Sequence, residues 1–152
     1  MELKSIVSKL AMINVMLPQE NLLVGGQPTS ADLLFLQKMG IRQVINLRPK
    51  TEPLGYDEQA ICQQLQLFYH VIPVTDITTL TRDNAKQLYQ LLVVNEPTLV
   101  HCASGNRVGA LIALMAFWLQ HCSAEDAYFL GLQSGLTKLA PEVKKLLGLS
   151  SC

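Results

Sequence analysis

"TLVHCASGNRVGALIALMAFWLQ", Thr98–Gln120, decides the reading of this chain. A short apolar run rich in strand-forming residues ends at Cys102. A Ser104-Gly105 turn and Arg107 follow. Val108–Leu119 then runs for 12 residues without a charge. A strand, a tight turn and a helix fit this order. The helix, placed at Arg107–Gln120, has to be buried nearly all round, because almost no polar residue interrupts it. It is too short for a membrane span, which needs about 20 apolar residues.

The flanking sequence supplies more units of the same kind. "NLLVGG" reads as a strand ending in glycines. "TSADLLFLQKMG" reads as a helix, with Thr29 or Ser30 at its N-cap and Gly40 at its end. "IRQVINL" and "FYHVIPV" read as strands. "YDEQAICQQLQL" and "RDNAKQLYQLLVVN" read as helices, and "TDITTLT" as a loop. Ser123–Asp126 ("SAED") opens a further helix, and Pro141 starts a last one that stops at Gly148. Strands alternating with helices predict an α/β fold: one parallel sheet of about four strands with helices on both faces. The first 17 residues carry Leu3, Ile6, Val7, Leu10 and Ile13 at helical spacing and are expected to form an N-terminal helix. The chain is read as one domain over 1–152, with that helix at 1–17 and a core at 20–148.

Composition narrows the function. Of 152 residues, 49% are hydrophobic and 16% charged, which excludes a disordered chain. Twelve basic residues balance 12 acidic ones, so bulk charge supports neither a nucleic-acid nor a membrane-surface partner. No secretory leader is evident at the N-terminus. Cys62, Cys102, Cys122 and Cys152 show no CxxC and no metal-like spacing with the three histidines. That pattern suits reduced thiols in a cytoplasmic setting.

In open α/β sheets, sites form beyond the carboxyl ends of the strands. Gly25–Pro28, Thr75–Thr81 and Ala103–Arg107 are therefore expected to converge. The last of these offers an anion cradle. Ala103, Ser104, Gly105, Asn106 and Arg107 can aim backbone N–H groups inward at the positive end of a helix dipole. Arg107 adds a planar fork suited to an oxyanion. The same field favours Cys102 as a thiolate nucleophile. A lone cysteine ending a buried strand is ordinarily a small core residue. The succession of strand, nest, arginine and buried helix favours the nucleophile instead.

"HCASGNR" resembles the signature loop of the cysteine-dependent phosphatase and rhodanese superfamilies. Together with "GGQPTSADLLFLQKMGIRQVINLRP" (Gly25–Pro49) and "GLTKLAPEVKKLL" (Gly135–Leu147), it makes the chain similar to the beta-lactamase-hydrolase-like phosphatase-like family, close to the dual-specificity phosphatases. The resemblance implies a phosphatase-like α/β fold, Cys102 as nucleophile and Arg107 as oxyanion clamp. It implies hydrolysis of a small-molecule or protein phosphoester through a cysteinyl-phosphate, with no metal and no cofactor. It also places a general acid at Asp76, in the loop after the third strand.

Two features depart from the phosphatase pattern. Only four residues separate Cys102 from Arg107, one fewer than such phosphatases carry and a length common in rhodanese-type sulfurtransferases. Val108 stands where a serine or threonine usually follows the arginine. A sulfurtransferase carrying a Cys102 persulfide and a non-catalytic anion-binding module are therefore the alternatives. Among the remaining polar residues, His101 is expected to brace the loop and Ser104 to stabilise its turn. Gln27 and Pro28 either line the cleft or simply make a tight connection. Arg48 is expected to pair with Glu52, Cys62 to lie in the core, and Asp83 to compensate a helix dipole.

Overall fold

The computed structural model describes Ser5 and residues 7–149. Its sheet has five strands: β1 (Met16–Gln19), β2 (Leu22–Gly25), β3 (Gln43–Asn46), β4 (Phe68–Val71) and β5 (Thr98–His101). They lie in the order β1-β2-β5-β3-β4. β2, β5, β3 and β4 are parallel, and β1 adds an antiparallel edge. Among the described residues these six α-helices accompany them: α1 (Ser30–Lys38), α2 (Glu58–Gln64), α3 (Arg82–Leu92), α4 (Asn106–Leu119), α5 (Ala124–Gln133) and α6 (Ala140–Leu147).

Side-chain alternation along each strand builds two cores. Leu23, Val44 and Leu99 point to one face, where Leu33, Leu36 and Cys62 of α1 and α2 cover them. Val24, Ile45 and Val100 point to the other, under Ala85 and Leu88 of α3 and the buried stretch Val108–Ala116 of α4. Helices thus lie on both faces of a mostly parallel sheet, as expected, with one strand more than expected.

The extra strand starts at the end of the segment expected to be helical, with Met16 and Leu17 inside it. Residues 1–4 and 6 lie outside the described residues. Ser5 is helical, and Val7–Lys9 forms a single 3-10 turn. The backbone N–H groups of Ala11 and Met12 donate to the buried Asp32 carboxylate at 2.8 and 2.9 Å. Asn14 adopts a left-handed φ of 57°, which ends any helix there. Met16–Gln19 then pairs with β2. From Leu10 to Ile13 the apolar spacing does not outweigh this tertiary capture of the backbone.

α1 is capped by Thr29, whose side chain accepts from the Asp32 N–H. Ser123 caps α5 by accepting from the Asp126 N–H. Gly148 closes α6 in a left-handed conformation. Among the described residues, no helix is long and apolar enough to cross a membrane.

Candidate active site

β5 is the central strand, and all four of its residues are buried. The chain leaves its carboxyl end at Cys102 and enters α4 at Asn106. Gly105 makes that short path possible: it takes a φ of 98° at the N-cap, a region L side chains rarely adopt. Its N–H then points back to Cys102 and donates to Sγ at 3.0 Å. The N–H groups of Asn106, Arg107 and Val108 open α4 and, among the described residues, meet no backbone acceptor. A cysteine sulfur therefore sits at the positive end of a 14-residue helix.

Arg107 lies one residue into that helix. Its Nη1 donates to Glu52 Oε2 at 2.7 Å and to the Val74 carbonyl at 2.8 Å, while Nη2 donates to Glu52 Oε1 at 3.1 Å. A guanidinium has five N–H donors in one plane. These bonds use three of them. The two that remain, Nε–H and the second Nη2–H, lie side by side on the other edge, an arrangement suited to a tetrahedral oxyanion. Burial works against the Arg107 charge. The Glu52 bonds and the neighbouring Cys102 outweigh it, and the guanidinium holds its proton more tightly than usual.

Glu52 is shared. Arg48 Nε also donates to its Oε1, at 3.0 Å, so the expected Arg48–Glu52 pair is present and extends to Arg107. The Arg107 bond, chiefly, holds the Glu52 carboxyl below its ordinary value, against burial, with Arg48 helping. Two guanidiniums and one carboxylate leave one net positive charge for an incoming anion.

Behind Cys102 lies a second, fully buried pair. His101 Nε2 meets Glu58 Oε2 at 2.6 Å, and His101 Nδ1 meets the Cys102 carbonyl at 3.2 Å. His101 is thus a brace of the loop. Beyond this network opens a cleft of about 350 Å³, lined among others by Arg48, Glu52, Tyr56, Glu58 and Tyr69.

The other expected site residues fall at the same sheet edge in different postures. Ala103 and Ser104 are exposed. The Ala103 carbonyl accepts from the Gln27 N–H at 3.1 Å, and that of Ser104 accepts from Asn14 Nδ2 at 2.7 Å. Asn106 turns its side chain outward: Oδ1 accepts from Thr137 N–H and Leu139 N–H at 2.9 and 3.1 Å, tying the α5–α6 turn to the loop. Asp76 is exposed and caps the 3-10 turn Ile77–Thr79. Bonds from the Thr78 hydroxyl and N–H hold its carboxyl below the usual value. It stands two residues after Val74, whose carbonyl Arg107 grips. Cys102 itself has no exposed surface, so an anion reaches Sγ only with a shift of the groups that cover it.

Sequence reasoning missed Glu58 and the second use of Glu52. Glu58 follows the Asp57 N-cap and reads as ordinary dipole compensation. The available signal is its place in a run where the helix's first turn packs inward beside Cys62.

A central Cys–Arg loop at the carboxyl edge of a mostly parallel sheet defines a cysteine-phosphatase-type domain. The comparisons with known proteins agree. A family model described as "DSP-PTPase phosphatase fused to NAD+ Kinase" matches residues 9–140. The chain belongs to this family. It is 34% identical over 100 residues to the beta-lactamase hydrolase-like protein of Xylella fastidiosa, covering 62% of this chain and 23% of that one. The corresponding Agrobacterium fabrum protein is 31% identical over the same length. The match thus spans about a quarter of these curated relatives' length. Among solved structures, a candidate phosphatase from Shewanella putrefaciens aligns with a TM-score of 0.70 and 22% identity over 95% of this chain and 92% of that one. The core catalytic domain of the PP-IP phosphatase SIW14 from S. cerevisiae aligns at 0.65 and 17%, covering 90% and 86%. At these identities the structures establish the fold.

Proposed function

We propose that this chain is a cysteine-dependent phosphatase acting on a phosphoester of a small molecule or a protein. The observation that carries the reading is the placement of Cys102 Sγ and the Arg107 guanidinium at one helix N-terminus. The phosphoryl oxygens take the Arg107 Nε–H and Nη2–H and the opening N–H groups of α4. The Cys102 thiolate attacks phosphorus in line, forming a P–S bond as the P–O bond to the leaving group breaks. The leaving oxygen takes a proton from Asp76. Water then attacks phosphorus and displaces the thiolate, releasing inorganic phosphate. In the free protein Thr78 keeps Asp76 ionised. An incoming dianion raises its affinity for a proton, which suits an acid that acts only in the complex.

The short loop favours one second reading, a sulfurtransferase in which Cys102 carries a persulfide. It needs no acid at Asp76. Hydrolysis of p-nitrophenyl phosphate and thiocyanate formation from thiosulfate and cyanide separate the two. Phosphate release lost in both Cys102→Ser and Asp76→Asn supports the phosphatase. Thiocyanate formation that needs Cys102 and ignores Asp76 overturns it. No Cys102-dependent turnover in either assay leaves an anion-binding module.

A further inference from the structure

We propose that Gln27 is a positioning residue that joins the nucleophile and the arginine clamp into one polar network. The inference rests on the reading of Cys102 and Arg107 as the reacting pair and adds a residue to it. Two ion-paired clusters flank the loop: Arg107–Glu52–Arg48 on one side and His101–Glu58 behind Cys102. The Gln27 side chain bridges them. Its Oε1 accepts from Arg48 Nη1 at 2.8 Å, and its Nε2 donates to Glu58 Oε1 at 2.6 Å. An unbroken chain of bonds thereby runs from Arg107 through Glu52, Arg48, Gln27 and Glu58 to His101, next to Cys102.

The chemistry of this joint selects an amide. It must accept from a cation at one end and donate to a carboxylate at the other. Glutamate has no donor and lysine no acceptor. The second hydrogen on Nε2 faces the Pro28 carbonyl and Tyr56 Oη, at 3.1 and 3.2 Å. Tyr56 Oη donates to the same carbonyl at 2.7 Å, leaving its lone pairs toward Gln27. Each polar end of the amide is therefore spoken for, and the orientation of oxygen and nitrogen follows from the partners. The Gln27 main chain also touches the loop, through its N–H to the Ala103 carbonyl at 3.1 Å. One residue thus contacts the loop directly and both of the ion pairs that hold it.

Gln27→Glu sets a second carboxylate against Glu58. The paired change Gln27→Glu with Glu58→Gln restores the bond with donor and acceptor exchanged: the new carboxylate accepts from Arg48 and from the new amide, which accepts from His101. The first readout needs no turnover: the rate at which phenylglyoxal modifies Arg107, located by peptide mass mapping. Affinity for inorganic phosphate and the kcat and KM for p-nitrophenyl phosphate accompany it. In Gln27→Glu, Arg107 should be modified faster and kcat should fall by about ten- to a hundred-fold, as misplacement of a reacting group demands. The paired variant should regain most of both, at a melting temperature like that of the wild type. Gln27→Met, neutral and similar in length, should behave like Gln27→Glu and carries the test if the glutamate variant does not fold. Wild-type labelling rates in Gln27→Met overturn the proposal, as does a paired variant no better than Gln27→Glu. Absence of turnover in the wild type sinks the phosphatase reading and leaves the labelling result to decide on Gln27.

Discussion

Replacing Glu58 by alanine should destabilise this protein far more than any surface ion pair could. Its carboxylate is buried, as is the His101 ring it bonds at 2.6 Å. Alanine leaves His101 Nε2 without its partner and strips Gln27 Nε2 of its shortest acceptor. Breaking one side of a buried pair costs roughly 3–5 kcal/mol. In a chain of this size each kcal/mol lowers the melting temperature by about 2–4 °C. The expected drop is therefore about 6–20 °C, read by calorimetry or by circular dichroism on heating. Glu58→Gln is the control. The new amide can accept from Gln27 and donate to a neutral imidazole whose proton sits on Nδ1. It should lose less than half as much as the alanine variant. An alanine variant that melts with the wild type would refute the reasoning, because the pair would then contribute nothing. A glutamine variant as unstable as alanine would show that charge, rather than bond satisfaction, holds the site.

Glu52→Ala should release Arg107 and lower kcat/KM by about ten- to a hundred-fold in steady-state assays, because the clamp loses its holder. The Glu52 carboxyl is held low in the folded protein, so its contribution to stability is complete above the ordinary value of 4.5 and is lost as pH falls through the lower folded value; denaturant titrations in acid should show that loss in the wild type and not in Glu52→Ala. Gly109→Ala should destabilise by about 1–3 kcal/mol or more in urea titrations, since a Cβ there would stand 2.2 Å from the Leu136 nitrogen and 2.7 Å from the Gly131 oxygen. Burial, helped by the Glu58 charge, pushes the Cys62 thiol up to about 12, so neutral iodoacetamide should leave Cys62 unmodified until the chain is unfolded, as peptide mapping would show.

The sheet and its helices were legible because each unit advertises itself locally. β5, the Gly105 turn and α4 could be placed within a residue, since an apolar strand, a positive-φ glycine and an uncharged helix leave few alternatives. β1 was not legible. The segment before it carries apolar residues at helical spacing, but there the backbone of Ala11 and Met12 is captured by Asp32, a carboxylate 20 residues or more away in sequence. The site divides along the same line. Cys102 and Arg107 share one loop, so spacing revealed them. Glu52 reaches Arg107 across 55 positions and Glu58 reaches His101 across 43, Gln27 joins Glu58 across 31, and each passes locally for a turn or helix-start residue. Asn106 sits in the loop by sequence, yet its side chain serves the α5–α6 turn. Local pattern locates the candidate groups. Long-range bonds decide their posture.

The cysteinyl-phosphate itself tests the central claim most directly. Rapid acid quench of the protein with p-nitrophenyl phosphate, followed by intact-mass and peptide analysis, should show one phosphoryl group on Cys102, accumulating further in Asp76→Asn only if a fast leaving group bypasses the acid. Cys102→Ser should show none under the same conditions. A wild-type protein that gains no phosphoryl group, but gains one sulfur atom on Cys102 from thiosulfate, would contradict the account.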